Sequence, residues 1–237
     1  AALEPTFLLN NVWRMSGEQL ANVRRAYYAC ITHIDYTLGL LFARMRELGL
    51  LENTWIIFTS DHGENLGDHW MGGKKNFFEG SAHVPLVIRP PASAWEKKPF
   101  ATRRVETIVS LADIMPTILA NADIAADEHP AGMEGADLRT FLDVEDPERF
   151  VAGESGDFLA LITQQAKYHY FVRGGGELLF DPAGDPGEQN ELSEGTDGLR
   201  RELRERLARV LGERGSKQVK EGDLAVKEPV RGPDDVV

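Results

Sequence analysis

"WIIFTSDHGENLGDH", Trp55 to His69, is the stretch whose reading decides the fold. Its first part is bulky and β-branched and too short for a helix, so it reads as a buried strand. The apolar run stops at Thr59 and Ser60 and gives way at once to Asp61, His62 and Gly63. An acid and an imidazole at the carboxyl end of a sheet strand stand where open α/β sheets bind their ligands. Together they offer oxygen and nitrogen donors to a divalent cation. A bare Asp-His-Gly is common in surface turns, and placement at a strand end is what singles this one out.

Upstream, apolar residues recur from Leu20 to Leu48 at Leu20, Val23, Tyr27, Cys30, Ile31, Ile34, Leu38, Leu41, Phe42, Met45 and Leu48. That spacing predicts a long helix with one buried face. Ser16 and Gln19 form a candidate capping box, and Gly49 a left-handed stop. Cys30 falls on the stripe and is expected to be a small buried hydrophobe. Asp35, beside it, is expected to make a structural hydrogen bond.

Downstream, "VPLVIRP" from Val84 reads as a second strand, with Pro85 tolerated near its beginning. The loop between the strands, Asp61 to His83, holds five glycines, His69, His83 and the pair Lys74–Lys75. A loop of that length in a compact domain is usually functional. Ammonium and imidazolium groups there could neutralise a tetrahedral anion. A short strand from Arg104 to Val109 is then expected, followed by a helix with Pro116 in its early turns. Beyond Phe141 the pattern changes. "FVAGE", "LALIT", "KYHYFVR" and "ELLF" read as short strands of an antiparallel sheet, and Leu199, Leu203, Leu207 and Leu211 as a helix lying on it. From Glu213 the chain is charged and aperiodic and is expected to be a solvated or disordered tail.

The predicted class is therefore α/β. Part of a mixed or parallel sheet flanked by helices occupies residues 1–145, a small α+β subdomain residues 146–212, and a polar tail residues 213–237. With 237 residues, 42% of them hydrophobic and 27% charged, the chain can bury a real core. Its 38 acidic against 26 basic residues give a charge of −12, which argues against nucleic acid as the main partner. No apolar run approaches the roughly 18 residues of a membrane span. The start "AALEPTFLLNNVW" shows no signal peptide, which leaves cytoplasm and periplasm both open. One cysteine excludes an intrachain disulfide framework.

"FTSDHGENLGDHWMGGKKNFFEGSAHVPLVIRPP", Phe58 to Pro91, resembles the second signature region of the sulfatase family, within the alkaline-phosphatase-like superfamily that also includes phosphonate monoester hydrolases. The likeness runs through strand, T-S-D-H-G, glycine-rich loop, a lysine five residues before an acid (Lys74 and Glu79), and V-P-L. "VSLADIMPTILANADI" is similar to the family's S-x-x-D-x-x-P-T-x-L helix, and "ELLFDPAGDPGEQNEL" to its E-L-Y-D-L-x-x-D-P-x-E-x-x-N-L ending. Coverage extends from about Gln19 to Leu211.

The resemblance implies that Asp61 and His62 are two metal ligands and that Lys74 is a catalytic, anion-binding lysine bridging the substrate and the leaving oxygen. His83 and His69 match less diagnostic substrate-binding positions. It implies a divalent ion, calcium in many sulfatases, manganese or another ion in members with histidine after the aspartate. The family's nucleophile is a formylglycine made from the cysteine of C-x-P-S-R, and its remaining metal ligands are a pair of early aspartates. Neither stands in this chain, where Cys30 is followed by "ITHI". The resemblance thus implies the C-terminal half of a sulfatase, partnered by an N-terminal half and acting on a small anionic ester. A phosphonate monoester or phosphodiester hydrolase and a noncatalytic paralogue remain alternatives.

Overall fold

The computed structural model describes residues 15–92, 94 and 104–229. The opening stretch, where no leader was expected, lies outside the described residues. The chain divides into two compact units. One comprises, of the described residues, 15–74, 80–92 and 94; the other comprises 75–79 and 104–229.

The first unit begins with helix α1, Gly17–Glu47, and the expected capping box starts it. Ser16 N donates to Gln19 Oε1 at 2.8 Å and Gln19 N to Ser16 Oγ at 3.2 Å, satisfying two of the N–H groups a helix start leaves open. Gly49 ends it at φ +67°. One expectation fails: no residue of α1 is buried. Val23, Tyr27, Ile31, Ile34, Leu41 and Leu48 of the stripe are all exposed, as are Cys30 and Asp35. Periodicity reports that a face favours cover, not that the cover is present.

Strand β1, Ile56–Thr59, carries the opening apolar run. After a one-turn helix α2, Glu79–Ala82, strand β2, Leu86–Arg89, returns alongside it, with Ile56 opposite Arg89 and Thr59 opposite Leu86. The pair is antiparallel, as a mixed sheet allows, because the connection is a loop and not a crossover helix. Pro85 sits just outside the ladder, where its missing N–H costs nothing.

The second unit opens differently from expectation. Arg104 to Val109 forms no strand. Its carbonyls are taken by side chains instead: Ile108 O accepts from Arg149 Nε at 2.7 Å and Glu106 O from Gln164 Nε2 at 3.3 Å. A capping box of Ser110 and Asp113 then leads into helix α3, Ile114–Asn121, with Pro116 third in it. Asp113 is fully buried and accepts from Ser110 N, Ala136 N and Arg149 Nη2 at 2.7, 2.8 and 2.5 Å. Thr117 Oγ1 donates to Asp113 O at 2.6 Å and accepts from Leu138 N at 2.9 Å. The S-x-x-D-x-x-P-T pattern therefore has a structural reason: it knots a helix start to two later segments.

Four strands follow as an antiparallel meander: β3 Phe150–Ser155, β4 Phe158–Thr163, β5 Lys167–Phe171 and β6 Gly176–Phe180. Helix α4, Asp197–Glu213, lies on one face. Leu203, Leu207 and Leu211 enter a core with Leu159, Leu161, Tyr168, Tyr170 and Leu179, the alternate residues of the strands. The expectation of a solvated tail after Glu213 is overturned for the described residues. Strands β7, Val219–Lys220, and β8, Asp223–Leu224, form a hairpin that buries Leu224 and Ala225 in the same core. Lys227 N donates to Val172 O at 2.8 Å and Gly174 N to Lys227 O at 2.9 Å. Two apolar residues among charged ones suffice to dock a short segment, and two carry no periodicity.

Candidate metal and anion site

The site is built where β1 ends. Ser60 Oγ donates to His62 O at 2.7 Å and His62 N to Asp61 Oδ1 at 3.0 Å, turning the chain sharply out of the strand. Gly63 completes the turn, and its N–H donates to Ser81 O at 2.8 Å. A Cβ at Gly63 would collide with the Gly80 carbonyl oxygen, so two backbones meet here at a distance only glycine permits.

The next turn places the lysine. Buried Asn65 donates its N–H and its Nδ2 to Gly73 O, at 3.1 and 2.6 Å. The Glu64 carboxylate accepts from Gly73 N. Gly73 is thus pinned at both its polar atoms, one residue before Lys74. Between them the loop folds through left-handed residues Leu66, Gly67, His69 and Trp70. Arg24 of α1 secures it by donating to Leu66 O at 2.8 Å and to Asp68 Oδ1 at 2.7 Å.

Direct contacts join three of the five residues singled out in the sequence. His62 Nδ1 lies 2.7 Å from Gly63 O. A carbonyl can only accept, so Nδ1 carries the proton and Nε2 keeps its lone pair when the ring is neutral. Nε2 faces Asp61 Oδ2 at 3.4 Å and the ammonium of Lys74. An imidazole lone pair beside a carboxylate oxygen repels it, unless a cation or proton stands between them. The donor set suits a divalent ion, and the backbone hydrogen bond that fixes the tautomer is how histidine ligands are usually oriented. The Asp61 side chain is 84% exposed and that of His62 35%, so both can reach outward. Among the described residues no three His, Cys, Asp or Glu side chains are grouped to hold a metal. His69 lies in the Asp68–Trp70 turn at φ +52°, and His83 is exposed directly after α2.

Sequence reasoning missed Arg24, Glu64 and Asn65, which shape the loop without touching its chemistry. It also missed a buried group in the second unit. Lys167 Nζ lies 2.7 Å from Glu79 Oε1 and 2.9 Å from Glu188 Oε1. His169 Nε2 lies 3.3 Å from the same Glu188 oxygen. Only the acids had a signal, since Glu79 and Glu188 fall in the stretches that resemble the sulfatase family, whereas Lys167 and His169 read only as strand residues.

The family model for sulfatases matches residues 9–124. These residues belong to the sulfatase family. The chain is 34% identical over 178 residues to an arylsulfatase of Clostridium perfringens, covering 73% of this chain and 36% of that protein. It is 31% identical over 220 residues to arylsulfatase K of Bos taurus, covering 84% of this chain and 39% of that one. Among solved structures, the phosphonate monoester hydrolase of Agrobacterium radiobacter superposes with a TM-score of 0.68 at 31% identity, over 90% of this chain and 47% of that one. The fold is thus alkaline-phosphatase-like. The chain spans less than half the length of each.

Proposed function

We propose that the chain is the C-terminal portion of a metal-dependent sulfatase that hydrolyses sulfate esters. The observation that carries this reading is the contact of Asp61, His62 and Lys74 at the end of β1, with His62 Nε2 facing both the Asp61 carboxylate and the Lys74 ammonium. Asp61 and His62 supply two ligands. The rest of the coordination shell and a formylglycine nucleophile come from an upstream half of the same polypeptide. Calcium is the first candidate, and manganese or another borderline ion suits the imidazole nitrogen equally.

When bound, the ion supplies Lewis acidity toward an ester oxygen. Lys74, its backbone pinned at Gly73, holds its ammonium where it neutralises the substrate anion and then the charge that develops on the leaving oxygen. Likeness to arylsulfatases supports a sulfate ester as substrate. Likeness to a phosphonate monoester hydrolase over 90% of this chain supports a second reading with the same residues, in which the ester is a phosphonate monoester or phosphodiester.

The test is turnover of an aryl sulfate and an aryl phosphonate by the complete polypeptide, before and after metal depletion. The first reading expects metal-dependent sulfate release. Lys74→Ala and Asp61→Asn should each cost at least about 100-fold in kcat/KM, the scale of removing one charge-stabilising group. Preferred phosphonate turnover would favour the second reading. No turnover of either, with no formylglycine detected by mass spectrometry, would leave the chain a noncatalytic paralogue.

A further inference from the structure

The second unit contains a charged cluster with no role in the site just described. Lys167, His169 and Glu188 are all but fully buried. Burying an ammonium and a carboxylate is expensive, and an apolar trio would often fill such a place at least as stably. The cluster faces one short piece of chain. Glu188 Oε2 accepts the backbone N–H of Glu79 at 2.7 Å, and Lys167 donates to the Glu79 carboxylate at 2.7 Å. The preceding ring, Phe78, stacks on His169 with centroids 4.6 Å apart and meets Phe180 edge-on at 6.2 Å.

The sheet is shaped to receive that piece. Gly153, Ala160, His169 and Leu178 form one cross-strand row on the face opposite α4. Phe77 lies so closely over Gly153 that a Cβ there would collide with its ring. Three consecutive residues, Phe77, Phe78 and Glu79, are therefore gripped by β3, β5, β6 and the loop carrying Glu188. Glu188 itself is held at φ +52°, a left-handed conformation uncommon for a residue other than glycine.

We propose that Lys167, Glu188 and His169 are positioning residues for Lys74. They fix the segment 75–79, whose first residue follows Lys74 and whose last precedes Gly80 and Ser81, the backbone partners of Gly63. The clamp would account for the spacing of a lysine five residues before an acid: the lysine does the chemistry and the acid is the handle by which its loop is held. It would equally account for the D-P-x-E ending, whose Glu188 holds that handle. The proposal rests on Lys74 having the role given it above.

The experiment uses the complete polypeptide and a series of aryl sulfates of differing leaving-group acidity. Lys74→Ala should lose most rate on the poorest leaving groups. Lys167→Met should lose about 10- to 100-fold in kcat with the same leaving-group dependence, the scale of displacing a catalytic group by about 1 Å. The double variant should be no slower than Lys74→Ala, and Lys167→Arg should restore activity to within about threefold, because it keeps both ion pairs. A Lys167→Met loss that is uniform across leaving groups and multiplies with Lys74→Ala would reduce the cluster to core packing and overturn the proposal. Amide exchange separates this from a failure of the functional reading. Even if no ester is turned over, Glu188→Gln should speed exchange at residues 75–79 while leaving α4 unchanged; unchanged exchange at 75–79 would overturn the clamp regardless of activity.

Discussion

A methyl group at Gly63 has nowhere to go, since the Gly80 carbonyl oxygen already occupies its place. Gly63→Ala must therefore push apart the turn that presents Asp61 and His62 and the residues that follow Glu79. We expect it to lower thermal stability, by about 1–3 kcal/mol as for typical strained substitutions, and to weaken metal binding measured by calorimetry. Gly49→Ala, where the added carbon meets only solvent, serves as the control for backbone strain alone. Glu188 sets a second expectation. Burial by itself would push its carboxyl up, but hydrogen bonding from His169, the charge of Lys167 and the Glu79 N–H outweigh it and hold it below the ordinary carboxylate value. A depressed value means that its contribution is present above the unfolded carboxylate value of about 4.3 and is lost as pH falls through the lower folded one. Wild type should exceed Glu188→Gln in stability at pH 6, with the gap closing as urea titrations are repeated below pH 4. A gap that stays constant down to pH 3 would mean that the carboxylate's charge contributes nothing. Asp61 and His62 could be singled out in the sequence because they adjoin a strand end. Lys167 and His169 could not, because their partners lie 88 and 19 residues away and nothing local announces a pairing at such range.

Helix and strand identities followed local chemistry closely wherever one pattern was sustained. The capping box at Ser16, the stop at Gly49 and the four leucines of α4 each carry their own signal, and α4 buries three of the four. Prediction failed where structure came from isolated contacts. Arg104 to Val109 alternates like a strand, yet side chains of Arg149 and Gln164 satisfy its carbonyls and no ladder forms. Past Glu213 the composition is that of a tail, yet Leu224 is 3% exposed and Ala225 5%. The ordered end is testable. Leu224→Ala should destabilise the protein by about 2–5 kcal/mol, the usual result of truncating a buried leucine, whereas Val226→Ala, at a position 63% exposed, should be nearly silent. Equal effects in chemical denaturation would return the segment to the solvent.

The molecule taken whole presents an imbalance between its two units. The one built on β3–β6 has a closed core of leucines and tyrosines. The one that bears Asp61, His62 and Lys74 has a 31-residue helix with no buried residue and a two-stranded sheet whose facing pair, Phe58 and Val87, is exposed. The heptad-like spacing of α1 made the helix legible but was silent on what covers it, because a sequence pattern records a preference for burial and not the partner. Contiguous exposed apolar surface on this scale is rare in a self-sufficient protein. The proposed function supplies the cover, an upstream half that would bring the nucleophile and the missing ligands to the same unit. The 237 residues expressed alone should then bind a hydrophobic dye strongly and self-associate with rising concentration in sedimentation. Replacing Ile31, Ile34 and Leu41 by glutamine should suppress both. In the complete polypeptide the wild-type residues should bind little dye and remain monodisperse, and the same three glutamines should now destabilise, since each would be buried without a partner. Dye binding and association that persist unchanged in the complete polypeptide would show that nothing upstream covers α1, and the two-half reading of the enzyme would fall with that result.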